Sequence, residues 1–89
     1  MKIPGTEITM QNAQEIIRAG DAAVKSGDGA FDFSGIRRAD SSAVAALLHW
    51  KRLCRSSGAE FRIEALPEGL SVLCRLYGVD RILGIPARS

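Results

Sequence analysis

The chain is poor in the side chains that usually carry chemistry. His49 is its single histidine, its two cysteines are Cys54 and Cys74, and no Cys-x-x-Cys spacing occurs. A metal centre built on such spacing therefore has no support. The nine glycines are scattered and form neither the phosphate-cradling loop that ends in Gly-Lys-Ser/Thr nor the Gly-x-Gly-x-x-Gly turn of dinucleotide sites. His49 and Cys54 lie five residues apart, which on a helix turns them to different faces, so they do not make a nucleophile and base pair. No cofactor is implied and an enzyme has no constellation behind it. The longest strongly apolar run, Ser42 to Trp50, is cut by Lys51 and Arg52, well short of the roughly 20 residues needed to cross a bilayer. The start of the chain also lacks the basic-then-apolar order of a signal peptide, which predicts a cytoplasmic protein with no direct membrane insertion. In that reducing compartment both cysteines, each set among apolar neighbours, are expected as buried thiols rather than a disulfide. An excess of one charge is missing too: 12 basic and 10 acidic residues leave +2, spread along the chain. Nucleic acid is not required as a partner.

What is present is ordinary globular material, 46% hydrophobic and 25% charged, and a length of 89 residues that fits one domain over 1–89. Surface scaling gives about 63% burial on folding, enough for one core. From Thr9 to Lys25, small or apolar residues at Ala13, Ile16, Ile17, Gly20, Ala23 and Val24 recur at helical steps. Thr9 is expected to cap this first helix and Gly27 to end it. Ala30 to Phe33, closed by Ser34-Gly35, reads as a short central strand. A second helix is expected from Ser41 to Ser56, after Asp40, with Val44, Leu47, Leu48 and Cys54 inward. Glu60 to Glu64 alternates charged and apolar residues, as a strand wet on one side does. Pro67 opens a third helix with Leu70, Leu73, Cys74 and Tyr77 inward and Gly78 beyond its end, and Val79 to Leu83 reads as a last strand. Strands alternating with helices predict an α/β fold with right-handed crossovers. The sheet is then small and mostly parallel, covered by about three helices. Lys2 to Ile8 contains Pro4 and Gly5 and is expected as a shortened edge strand.

The informative stretch is Asp40-Ser41-Ser42. In one reading Asp40 caps the second helix and both serines sit in a first turn that tolerates polar side chains. In the other, the partial positive charge and free N–H donors of the helix start accommodate a phosphate on Ser41, with Arg37 and Arg38 assisting. In the absence of a partner, both arginines are solvated loop residues.

Phe31-Asp32-Phe33-Ser34-Gly35, followed by Ala39-Asp40-Ser41-Ser42-Ala43-Val44-Ala45-Ala46-Leu47-Leu48, resembles the hydrophobic-Asp-hydrophobic-Ser-Gly and Asp-Ser/Thr-x-Gly-Leu signature of STAS domains. Leu47-Leu48-His49-Trp50, the Gly58 turn, Phe61 to Ile63 and Leu73 to Val79 are similar to the MlaB-type branch, the cytosolic STAS subunit of the Mla phospholipid ABC transporter. The resemblance spans about Thr6 to Leu83. Two departures stand out: Ala43 and Val44 replace the usual Gly-Leu, and only about eight residues precede the first helix where a two-strand hairpin is usual. The second leaves a sheet edge able to pair with another protein or a second copy.

The resemblance implies a non-catalytic adaptor. It would bind the ATPase subunit of the transporter, peripheral to the inner membrane, and support the lipid transport on which outer-membrane lipid asymmetry depends. The surface implied is the first turn and outer side of the second helix, with Ser41, Ser42, Ala45, His49 and Arg52 and the neighbouring Arg38; for Ala45 and His49 taken alone, an ordinary exposed position is the favoured reading. The alternative is an anti-sigma factor antagonist switched by phosphorylation of Ser41. The Leu-Leu-His-Trp continuation, the Leu-Tyr-Gly-Val segment and the missing Gly-Leu favour the transporter branch.

Overall fold

A computed structural model of the chain describes residues 1–86. Its elements are β1 (Glu7–Ile8), α1 (Ala13–Lys25), β2 (Ala30–Asp32), β3 (Arg38–Ala39), α2 (Ser41–Ser57), β4 (Arg62–Glu64), α3 (Glu68–Leu76) and α4 (Asp80–Leu83). β1 pairs with β3 and β2 with β4, both parallel. The start of the chain also lies beside β2: the Ile3 N–H donates to the Asp32 carbonyl and the Asp32 N–H to that of Met1, at 2.8 and 2.9 Å. The α/β class, the parallel pairing and the shortened N-terminal strands stand as the sequence reads.

Between strands and helices lies a core of Ile3, Ile8, Ile16, Val24, Phe31, Phe33, Val44, Leu47, Trp50, Cys54, Leu70 and Cys74. Its centre is the Phe31 ring stacked on the Trp50 indole, centroids 4.2 Å apart and 7° from parallel. The indole N–H is satisfied by the Ile17 carbonyl at 3.3 Å, as a buried tryptophan requires. Gly20 on α1 faces this ring. α2 buries Ala43, Val44, Ala46, Leu47, Trp50 and Cys54 and stops at Gly58, whose φ of +82° suits a residue without Cβ.

Several expectations need correction. α1 begins at Ala13 rather than Thr9. Thr9 to Asn12 form a turn in which the Asn12 carboxamide accepts from the Thr9 N–H and donates to the Glu7 carbonyl. Pro67 stands as the cap of α3 rather than its first residue. Tyr77, placed on the inner stripe, is 56% exposed because α3 ends at Leu76. Leu48, placed inside, is only half-buried. The last strand is instead a fourth helix, α4: Gly78 turns the chain at φ +71°, and the N–H groups of Leu83 and Ile85 bond back to Val79 and Asp80.

Candidate functional site

The site is organised by the entry into α2. Asp40 adopts an extended conformation, φ −104° and ψ −169°, and its carboxylate accepts from the Ser42 N–H at 2.9 Å and from the Ser42 hydroxyl. Its other oxygen accepts from the Met10 N–H at 3.2 Å. These bonds, the Ser42 hydroxyl first, hold the Asp40 carboxyl below its ordinary pKa. Asp40 is therefore the helix cap that the first reading assigned to it. It also joins the turn before α1 to α2, a tie that sequence spacing did not reveal.

Ser41 is exposed at the first position of α2, and its hydroxyl has no hydrogen-bond partner among the described residues. Ser42 is half-buried and committed to Asp40. Ala45, His49 and Arg52 are exposed. At 3.6 residues per turn, Ser41, Ala45 and Arg52 project within about 40° of one another, with His49 flanking them. Ala43 and Val44, where the chain departs from the usual Gly-Leu, are both buried, so that departure faces the core.

Arg38 lies in β3 and Arg37 just before it, both exposed. Backbone bonds from both N–H groups to the Thr6 carbonyl fix this segment. Both arginines line a half-open cavity of about 450 Å³ shared with Thr9, Asp40, Pro67 and Leu70. At the other end of the face, His49 and Arg52 line a shallower hollow of about 380 Å³ with Leu53 and Ser56.

Sequence reasoning missed Asp21. Its carboxylate lies 2.8 Å from His49 Nε2, linking α1 to the outer side of α2. A partner 28 positions away leaves no mark in local spacing, whereas the outward position of His49 on the helical wheel does. Among the described residues no group of three His, Cys, Asp or Glu side chains is placed to hold a metal ion, and no helix is long and apolar enough to cross a membrane.

Parallel strand pairs backed by helices, with a capped Asp-Ser-Ser entry into α2, make this a STAS-like α/β domain. The family profile described as "Mlab, STAS domain" matches residues 5–84, and the chain belongs to that family. STAS domains are generally non-catalytic. No curated protein and no solved structure matches the chain.

Proposed function

We propose that the chain is a cytosolic adaptor that docks on the ATPase subunit of an Mla-type phospholipid ABC transporter through the first turn and outer face of α2, and supports that subunit without moving lipid itself. The observation that carries this reading is the row Ser41, Ala45 and Arg52. It is small or polar, exposed, and lies on the side of α2 opposite its buried residues. Small side chains at the first turn permit a partner's backbone to approach closely. Membership of the MlaB-type family supports the choice of partner.

Replacing Ser41 with Arg tests it. A long cation driven unpaired into a packed contact costs several kcal/mol, enough to abolish a micromolar complex. An exposed first-turn substitution changes stability by only about 0.5 kcal/mol. The variant is expected to lose co-purification with the ATPase subunit and to keep its melting temperature. Full co-purification would remove the first turn of α2 as the docking surface.

A second reading, an anti-sigma factor antagonist switched at Ser41, is favoured by one observation: the Ser41 hydroxyl is exposed and unbonded among the described residues. A phosphate ester on Ser41, detected by mass spectrometry of the protein from its native cells, would move the assignment to that reading.

A further inference from the structure

The outer face of α2 is flanked by exposed arginines at both ends. Arg37 and Arg38 stand over the cavity beside Asp40, and Arg52 stands at the hollow beside His49. None of these three guanidinium groups has an ion pair among the described residues. Two acidic groups near these ends are engaged elsewhere, and Glu7, the register partner of Arg38, makes no ion pair with it. Asp40 spends its oxygens on the Ser42 N–H and hydroxyl and the Met10 N–H, and Asp21 is held by His49. The stretch between the two ends presents Ser41 and Ala45, too small to bar a chain laid across it.

We infer that the partner of this face presents an acidic segment, with one carboxylate at Arg37 and Arg38 and another at Arg52. The inference rests on the docking face proposed above and adds the chemistry of what occupies it. Planar guanidinium groups bind carboxylates in a bidentate fork, which gives register as well as attraction. The spacing is also set: Asp40 to Arg52 spans about 18 Å along the helix axis. An extended segment covers that length in about five or six residues at roughly 3.3 Å each. A helical segment needs about twelve. An oblique path is longer than the axial one, so these two separations are the shortest expected between the acidic residues of the partner. The first cavity lies on the α3 side of α2 and the second hollow on the α1 side, as their linings of Pro67 and Leu70 and of His49 show. The segment accordingly crosses α2 obliquely, over Ser41 and Ala45.

The test measures affinity for the purified ATPase subunit with the intact chain, with Arg38→Glu, with Arg52→Glu and with the bulky neutral Ser41→Trp, in dilute and concentrated sodium chloride. Arg52 is an exposed helical position, so its variant keeps the test valid should Arg38→Glu disturb β3. Each charge reversal is expected to weaken binding about tenfold or more in dilute salt. The intact protein should lose affinity as salt rises from about 0.05 to about 0.5 M, and the reversed variants should lose much less. Unchanged affinity in both reversals, with binding abolished by the bulky neutral Ser41→Trp, would overturn the acidic segment and leave the docking face standing. Binding that survives Ser41→Trp would remove both. Arginine-dependent binding to phosphatidylglycerol vesicles in place of the subunit, or an arginine-dependent dimer of this chain, would overturn the inference by naming a different occupant.

Discussion

Gly20 and Trp50 form a close contact between α1 and α2: a Cβ at position 20 would overlap the indole ring. The ring is held in place, because it is stacked on Phe31 and its N–H is bonded to the Ile17 carbonyl. The absence of one side chain sets the distance between the two helices that carry the docking face and its Asp21–His49 link.

Gly20→Ala should therefore destabilise the fold although alanine is the better helix former. Overpacking a tight core costs about 1–3 kcal/mol, against a helix-propensity gain of up to about 1 kcal/mol. A lower denaturant midpoint with an unchanged slope is the expected result, and a more stable variant would contradict the contact.

Leu47 and Leu48 are adjacent and differ in burial: Leu47 is 0% exposed, whereas Leu48 lies half-buried at the margin of the core. Leu47→Ala should cost about 2–5 kcal/mol, the range for a leucine removed from a packed interior. Leu48→Ala should cost distinctly less. Urea melts of the two variants side by side check the order.

The Asp40 carboxyl, held below its ordinary value chiefly by the Ser42 hydroxyl and then by the Ser42 N–H, gives stability a defined acid limb. Between its folded value and the unfolded value near 4, the unfolded chain binds more protons, so stability rises with pH through that window and is lost as pH falls through it. Asp28 and Asp32, also lowered, act in the same direction. Asp40→Asn keeps an acceptor for the cap but loses the charge, and should flatten this limb in melts between about pH 5 and pH 2. Asp40→Ala loses the cap itself and should cost about 0.5–2 kcal/mol at neutral pH.

Cys54 and Cys74 are both free and buried, and burial is the leading cause that pushes each thiol pKa up. A protonated, enclosed thiol is a poor nucleophile. In the native protein both should resist a thiol reagent near pH 8, and both should react promptly in denaturant without prior reduction. Rapid native labelling of either would contradict its burial.

The parts of this molecule legible in the sequence are those set by strong local chemistry. α2 could be read almost to the residue because Asp40 caps one end and Gly58 turns at the other. The inward side of α2 follows from helical spacing except at Leu48, which lies at the margin, whereas the proposed docking row is what the family resemblance implies and spacing alone marks it only as a solvated face. Val79 to Leu83 is a short apolar run that fits strand or helix equally, and the turn at Gly78 decides for the helix. The α3 stripe, continued by helical spacing, takes in Tyr77, which lies just past the end of the helix at Leu76. The Asp21–His49 link, the tie of Asp40 to the turn before α1 and the fit of Gly20 to Trp50 join residues distant in sequence. They depend on how the helices pack, which local pattern does not encode.

The stack of Phe31 on Trp50 also supplies the protein with an internal optical probe. Trp50 is the only tryptophan and is wholly enclosed, so intrinsic emission reports one place, the junction of α1, α2 and β2. Unfolding wets the indole and moves its emission to longer wavelength. A partner seated on the outer side of α2 reaches the opposite surface of the helix and leaves that colour unchanged. A fluorescence titration can thus separate a variant that has lost its partner from one that has lost its fold, without a label and in a single cuvette.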